Sequence, residues 1–323
     1  SNSFAIIIAI IIVLLWVIHT PHHQYLEQDN YWEYGQALLR NRPFIPTDTR
    51  LFPATGILFA LISIIIHDKF IAGMSVSIVF FITSYILIKK LNPKVLPVFI
   101  LCFPPIVFKS FSLISSESFM IVLLLSSFLL WENNKKNWSY AVLGLLLWVR
   151  LIAVAIIAVR LFFDVQEKNF PQFLKGLCII GISGLLFIFY NQLIFHKPFI
   201  QFITYPQAGH ASIALIQFVE DLFRSFAWGQ YRIFLSGLAY FLLTILYFIL
   251  VWRKRNKNNF NRFAFLSAVT MTIFTFTIGP TPFLEEYARF LVPVFLALGF
   301  LLPQIPKKTI PIFVIVSSIL VLL

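Results

Sequence analysis

The chain has 323 residues, of which 59% are hydrophobic and 12% are charged, and its formal net charge is +12. Soluble domains carry roughly 45–50% apolar and about 25% charged residues, so the composition excludes an ordinary soluble globular protein. The apolar runs are continuous, as in residues 4–18, and lack the alternation of membrane β-strands. We therefore predict an all-α, polytopic transmembrane helical bundle. In such a protein the positive charge reflects membrane topology and contact with anionic membrane lipids, and no nucleic acid is expected as a partner.

Apolar segments recur along the whole chain, and about 9–11 of them approach the roughly 20 residues that a transmembrane helix needs. No low-complexity linker and no internal repeat separates them, so we predict a single transmembrane domain over residues 1–323. Two long polar stretches interrupt the pattern. Residues 19–50 are predicted to be a first external loop with an interfacial helix, and residues 196–232 a second large external loop.

The positive-inside rule gives a topology for these segments. It places on the cytoplasmic side the basic clusters at residues 89–94, 135–136, 253–262 and 307–308. This requires that residues 51–88 cross the membrane once, with 51–66 at the interface or re-entering. It also requires that the run 138–163 breaks near Arg150 and returns to the side it came from. The external face then gathers residues 19–69, 109–117, 196–232 and 280–289.

The first external loop carries acidic and aromatic side chains in a helical pattern. We predict a helix over residues 28–39, in which Asp29 and Glu33 share one face at a spacing of four. The other, apolar face is formed by Tyr31, Tyr34 and Leu38. Such a helix is expected to lie at the membrane surface. Asp29 fits two interpretations: a general base above a membrane-embedded pocket, or a helix-start acid favoured by the helix dipole beside an interfacial aromatic belt.

Three charged residues inside or beside apolar runs are further candidates. Glu117 follows Ser115 and Ser116, which fits a helix N-cap with an acid in the first turn. It also fits a second external acid that faces the same cavity as Asp29. Arg150 lies within a long apolar run, where a charge marks a functional-site hypothesis, and a lipid phosphate would satisfy it. Arg160 is nearer the end of that run and is expected to snorkel to the surface.

The second half of the chain offers candidate contacts for a lipid head group. His210 lies in the second external loop. Arg289 directly precedes the apolar run 290–303, and Tyr287 stands two residues before it. Arg289 fits either a phosphate clamp or a surface ion pair with a neighbouring glutamate, whose value would be under about 1 kcal/mol.

Metal and cofactor sites find little support in the sequence. His19, His22 and His23 are close together, but no further ligand at a standard spacing completes a zinc motif. Cys102 and Cys178 lie in apolar runs and are predicted to be small buried residues without a disulfide framework. Because no P-loop, dinucleotide fingerprint or nucleophile elbow is present, the sequence does not support an ATP-driven mechanism or a soluble nucleotide-sugar donor. We expect no metal and no other cofactor.

The order of these features resembles the GT-C superfamily of integral-membrane glycosyltransferases. That group includes protein and GPI-anchor mannosyltransferases and the lipid A aminoarabinose transferase. Its acid-bearing interfacial helix is matched by Asp29, Tyr34 and Ala37, and its proline-containing re-entry by residues 51–53. The later acid and helix break are matched by residues 116–119 and 144–150, and the late pair before a proline-containing span by Tyr287, Arg289 and Pro293. The chain departs from the family in having Asp29-Asn30 where an Asp-x-Asp would favour a metal.

The resemblance implies an inverting transfer of a sugar from a polyprenyl-phosphate donor to a hydroxyl of a lipid, glycan or protein acceptor. Asp29 would be the catalytic base and Glu117 a second catalytic acid. The residues implied in substrate binding are Glu33, Tyr34, Arg150, His210, Tyr287 and Arg289. We expect the protein in a bacterial or archaeal plasma membrane, multi-pass, with its site facing outside.

Three other functions remain open on the sequence. A lipid or polysaccharide transporter or flippase would also use interfacial arginine and aromatic residues, although it would more often show paired repeats. A membrane polysaccharide polymerase or ligase would share the external loop and the arginines. A non-catalytic assembly subunit would not bring Asp29, Glu117 and Arg289 to one cavity.

Overall fold

The computed structural model describes residues 26–40, 52–93, 97–102, 105–112, 116–199, 214–252, 255–278 and 290–301. These residues form helices and contain no β-strand. Three of the described helices are long and apolar enough to cross a membrane, namely Ile71–Leu91, Phe170–Phe195 and Tyr231–Val251. The predicted all-α class is thereby confirmed for the described residues, and three helices have the length and composition of membrane spans. The polytopic arrangement, the full number of spans and the sidedness stay predictions.

The helices are labelled here in chain order. They are α1 Leu26–Leu39, α2 Pro53–Ser63, α3 Lys69–Leu91, α4 Pro97–Cys102, α5 Pro105–Ser112, α6 Ser116–Glu132, α7 Lys136–Leu147, α8 Ala153–Gln166, α9 Phe170–Phe195, α10 Ala214–Ala227, α11 Tyr231–Val251, α12 Asn259–Ile278 and α13 Val292–Gly299. By their contacts they divide into two compact units. The first unit covers residues 22–87 and 110–208, and the second covers residues 1–21, 88–109 and 209–323.

Local sequence signals explain where several helices begin. Pro53 opens α2 in its first turn, where its missing N–H is not needed. The Asp68 carboxylate accepts a hydrogen bond from the Ile71 N–H at 2.8 Å and caps α3. Asn169 and Asn258 cap α9 and α12 in the same way.

Helices α1 and α2 form a tight pair in the first unit. A Cβ on Gly35 would lie 2.7 Å from the Ala60 nitrogen, and one on Gly56 would lie 1.9 Å from the Tyr34 ring, so both contacts require glycine. Tyr31 and Tyr34 are buried, whereas Glu33 is exposed. The predicted helix is therefore present, and Tyr31 and Tyr34 of its predicted apolar face are the residues that pack. Its position at the membrane surface stays a prediction.

The short length of α2 agrees with the expected single crossing of residues 51–88. Its 11 residues reach roughly 16 Å at 1.5 Å per residue, well short of the about 30 Å hydrocarbon core. The following helix contains the span-length segment Ile71–Leu91. One of the two apolar segments is thus too short to cross as a helix.

Helices α7 and α8 form an antiparallel hairpin around Arg150. Lys136, at the start of α7, places its Nζ 3.0 Å from Oε2 of Glu167 and 3.7 Å from Oδ1 of Asp164, at the end of α8. Each half is roughly 18–21 Å long. The predicted break near Arg150 and the return of the chain are confirmed.

Arg160 corrects the expectation of snorkelling. Its side chain is fully buried, and its Nη2 lies 3.4 Å from Oδ1 of Asp164, one helical turn later. The guanidinium also lies 3.9 Å from the centre of the Trp131 ring, and Tyr140 donates a hydrogen bond to Asp164. Since an opposite charge and an aromatic face are close by, the cation stays inside the unit.

Cys178 is exposed, so its predicted place in a core is wrong. It lies on α9, which turns much of its apolar surface outward, including Leu177 and Leu186. A helix that faces lipid keeps apolar residues on its outer surface as well, which is why composition alone misplaced this residue. The side chain of Cys102 lies outside the described residues.

The second unit is built around α13, whose residues are all buried. The Phe295 ring packs between those of Tyr240 and Tyr247, at centroid distances of 6.4 and 5.3 Å. Residues 214–227 of the predicted second external loop form α10, an amphipathic helix. Its buried Phe218 packs on α11 and α12, while its Phe223 is exposed.

Candidate functional site

A buried ion pair at the helix break joins two of the predicted site residues. Arg150 donates from Nη2 to Oε1 of Glu117 and from Nε to the hydroxyl of Ser116, at 2.9 Å. The side chains are 14% and 2% exposed for Arg150 and Glu117. Glu117 stands in the first turn of α6, where the helix dipole favours an acid. The anion expected for Arg150 is thus, in this structure, a carboxylate of the chain itself.

Trp148 fixes the segment that carries Arg150. Its indole Nε1 donates to the Ser183 carbonyl and hydroxyl oxygens, at 3.2 and 3.1 Å. Its own carbonyl oxygen accepts from the Ala54 N–H at 3.0 Å, at the start of α2. Gly144 allows the close approach of α7 to α9, because a Cβ there would lie 2.8 Å from that of Ser183. The break is therefore held by two neighbouring helices.

Tyr34 connects the interfacial helix to this break. Its hydroxyl shares a hydrogen bond with that of Tyr190, whose ring lies 5.7 Å from that of Trp148. The Tyr34 ring also stacks on Phe195 at 6.2 Å. Burial raises the pKa of the Tyr34 hydroxyl above its usual range, because a charged phenolate would be poorly solvated there. A chain of contacts thus runs from α1 through two aromatic side chains to the segment of Arg150.

Glu33 lies elsewhere, in an open cleft beside α1. The cleft has a volume of about 720 Å³ and is lined by Trp32, Glu33, Gln36, Arg40, Ser63 and His67. The first four come from α1 and the residue that follows it, and the last two from the end of α2 and its following turn. Glu33 is therefore not part of the Tyr34 contacts.

The remaining predicted site residues are only partly covered by the structure. Asp29 lies in α1, one turn before Glu33, and its side chain is outside the described residues. His210, Tyr287 and Arg289 also lie outside them, so their roles stay predictions. The structure brings Glu117 and Arg150 together and links Tyr34 to them.

Sequence reasoning missed the residues that hold this arrangement in place. Trp148 and Tyr190 lie in long apolar runs and were not distinguished from core aromatics. One signal was available, because Tyr190 stands next to Asn191, a polar residue near the end of an apolar run. Asn191 is buried and donates to the Pro198 carbonyl at 3.3 Å. Ser116 was recognised as a capping residue and not as a partner of arginine.

Among the described residues, no group of three or more His, Cys, Asp and Glu side chains could hold a metal ion. The three closely spaced histidines of residues 19–23 lie outside this part of the chain. The groups gathered around the helix break are a carboxylate, a guanidinium group, a serine hydroxyl and aromatic hydroxyls.

No protein-family model, no curated protein and no solved structure matches the chain. The resemblance to the GT-C superfamily therefore depends on the residues of this chain alone.

Proposed function

We propose that the chain is a membrane glycosyltransferase that moves a sugar from a polyprenyl-phosphate donor to an acceptor hydroxyl on the non-cytoplasmic side. The observation that supports this most is the Glu117–Arg150 pair, buried at a helix break. The pair lies in the same compact unit as the acid-bearing helix α1. A charge of this kind in an apolar run is the feature most typical of a functional site in membrane proteins.

The chemistry of a lipid-phosphate donor fits these groups. The planar guanidinium of Arg150 matches a phosphate in a bidentate geometry, so an incoming donor competes with Glu117 for it. The leaving polyprenyl phosphate carries the charge that develops in the transition state, and a fixed cation stabilises that charge. From the sequence alone, Arg289 is a second candidate for the cation that stabilises the leaving phosphate.

The reaction is a single displacement at the anomeric carbon of the donor sugar. The acceptor oxygen forms the new bond to this carbon while the carbon–oxygen bond to phosphate breaks, and the phosphate leaves with the electron pair. The hydroxyl proton goes to the carboxylate of Asp29, which acts as the general base. Attack from the side opposite the phosphate inverts the configuration.

The test uses the purified full-length chain in lipid nanodiscs with a panel of radiolabelled polyprenyl-phosphate hexoses and pentoses. A membrane lipid extract and free methyl glycosides serve as acceptors, and the readout is release of polyprenyl phosphate. Asp29→Asn is expected to lower the rate by roughly 10²–10⁴, because it keeps the shape and removes the base. Glu132→Gln, at the exposed far end of α6, is the matched control and should keep the parent rate.

Two results would overturn the proposal. The first is that the parent turns over none of the donors, which together with Arg150-dependent donor binding would favour a lipid transporter. The second is that Asp29→Asn stays within threefold of the parent, which would remove Asp29 as the base.

A further inference from the structure

The cleft beside α1 has the chemistry of a site for an uncharged polar ligand. Glu33, Gln36 and Arg40 lie at spacings of three and four, so they form one stripe along the helix. This stripe differs from the packing face that holds Tyr31 and Tyr34, which are buried. Among the described residues, the other wall of the cleft comes from the end of α2 and the turn that follows it.

The polar side chains of the stripe have hydrogen-bond donors and acceptors that a ligand could use. Within the described parts of the chain, the side chains of Glu33, Gln36 and Arg40 make no hydrogen bond or ion pair. Together they present acceptors, an amide with both functions, and five guanidinium N–H donors. By contrast, Arg150 in the same unit is already bound to Glu117 and Ser116.

Trp32 gives the cleft a fixed aromatic wall. Its indole is half-buried and packs edge-on against Phe59, with ring centroids 6.2 Å apart. On the opposite wall the His67 ring is placed by Nδ1, which lies 3.1 Å from the Ser63 carbonyl oxygen. An apolar ring face beside several convergent polar groups is the usual make-up of a small-molecule site, and about 720 Å³ is an ordinary volume for one.

We propose that this cleft binds the carbohydrate portion of the acceptor. One acid and one guanidinium balance each other across the stripe, which favours a neutral ligand over a phosphate. A sugar ring offers many hydroxyl groups to planar carboxylate, amide and guanidinium partners, and an apolar C–H face to the indole.

The position of the cleft relates it to the chemistry. Asp29 lies four residues before Glu33 in α1, a displacement of about 6 Å along the helix axis. A sugar at the Glu33 end of the cleft therefore lies about one helical turn from the residue to which the proposed function gives the role of base. This assignment rests on that proposed function, whereas carbohydrate binding itself can be measured without any donor.

The experiment measures binding of methyl glycosides of mannose, glucose, galactose and N-acetylglucosamine to the full-length chain. Lipid nanodiscs replace glycoside detergents, whose head groups would compete for the cleft. Saturation-transfer NMR with titration gives the affinity for each sugar, with no polyprenyl phosphate present. We expect at least one glycoside to bind saturably, and Trp32→Leu and Gln36→Leu each to weaken it at least tenfold.

Trp138→Leu is the matched control. Trp138 is an exposed tryptophan on α7 in the same unit, outside the cleft, and its loss should leave the affinity unchanged. Trp32→Phe keeps an aromatic ring and should retain more affinity than Trp32→Leu, which separates loss of the ring from a folding defect.

Three results would overturn the assignment. These are the absence of saturable binding to every glycoside, equal weakening by Trp138→Leu and Trp32→Leu, and displacement of the bound sugar by inorganic phosphate at equal concentration. Donor turnover is measured separately with water as the acceptor. Sugar binding without donor turnover would support the sugar site in the cleft and contradict the proposed glycosyltransferase function. Donor turnover without sugar binding would support the glycosyltransferase function and contradict the sugar site.

Discussion

Glu117 and Arg150 stabilise each other in a place where either charge alone would be costly. Glu117 is almost fully buried and Arg150 is mostly so. Removing one member of such a pair leaves an uncompensated buried charge, which typically costs about 3–5 kcal/mol. Replacing both removes the attraction and the desolvation together and costs far less. The pair is therefore more important for the position of the helix break than for net stability.

A double-mutant cycle tests this coupling. Glu117→Gln and Arg150→Met should each lower the free energy of unfolding by several kcal/mol, and the double variant by less than the sum of the two. The measurement is reversible unfolding in mixed micelles of lipid and SDS. The pair of Asp221 and Arg224, at 3.7 Å, provides the control cycle. Its Asp221 is buried but its Arg224 is about half-exposed to solvent, so the coupling should be weaker than that between Glu117 and Arg150. Additivity at Glu117 and Arg150 to within about 0.5 kcal/mol would mean that the pair does not form.

Both members of this pair were recognisable from the sequence, but their contact was not. Glu117 was singled out by its place after two serines, and Arg150 by its charge within an apolar run. They stand 33 residues apart, and no local spacing rule joins residues at that distance. The opposite holds for Arg160, whose partner Asp164 is at the i, i+4 spacing. That pair was available to sequence reasoning and was overlooked in favour of snorkelling.

At the scale of elements, the α1–α2 pair depends on the two glycines that let the helices meet. The Tyr34 ring occupies the space that a Cβ on Gly56 would need. The Tyr34 hydroxyl also shares a hydrogen bond with that of Tyr190, so the position of α1 depends on both the Gly56 contact and this hydrogen bond. A shift of α1 would move the cleft and the helix that carries Asp29 at the same time.

Substituting Gly56 tests that dependence. Gly56→Ala forces the Tyr34 ring or α1 to move, and we expect a loss of about 1–3 kcal/mol in unfolding free energy, as for overpacked cores, with weaker sugar binding in the cleft. Gly184→Ala is the matched control, since a Cβ there would meet nothing within 4 Å. That change should be neutral or should stabilise by up to about 1 kcal/mol, because alanine favours the helix. Equal effects of the two changes would show that the close contact is absent.

The sequence predicted helices and helix breaks where the distribution of charge and the length of the apolar runs constrain them. It missed a helix whose formation depends on packing against other helices. The return of the chain at Arg150 followed from the need to place basic clusters on one side. The expectation that residues 51–66 lie at the interface or re-enter followed from the same argument, and the 11 residues of α2 agree with it. Helix α10 was predicted only as loop, because residues 196–232 contain polar stretches and no long apolar run. Its amphipathic pattern favours a helix once its buried face, with Phe218, packs against α11 and α12.

For the whole molecule, the distribution of positive charge predicts which parts of the chain face the cytoplasm. In the first unit this prediction can be tested, because its two ends carry different charged residues. Helix α6 has Glu117 in its first turn and ends at Glu132, just before the exposed turn at Asn134. The hairpin contacts of Lys136 lie at this second end, and the pair of Arg150 and Glu117 at the first. Positive residues near Asn134 favour the cytoplasmic side. Because α1 is linked through Tyr34 and Tyr190 to the opposite end, the candidate site is expected outside.

Cysteine labelling in intact cells tests that orientation. Single cysteines replace Glu33, Asn134 and Lys257, all exposed, in a background without Cys102 and the exposed Cys178. A membrane-impermeant maleimide should label the cysteine at position 33 in intact cells, and those at 134 and 257 only after permeabilisation. The reason is that Lys135, Lys136 and the basic cluster 253–262 are retained on the cytoplasmic side. Labelling of positions 33 and 134 from the same side would contradict the topology. Labelling of position 33 only after permeabilisation would, in addition, place the proposed acceptor cleft on the cytoplasmic side, where no external acceptor could reach it.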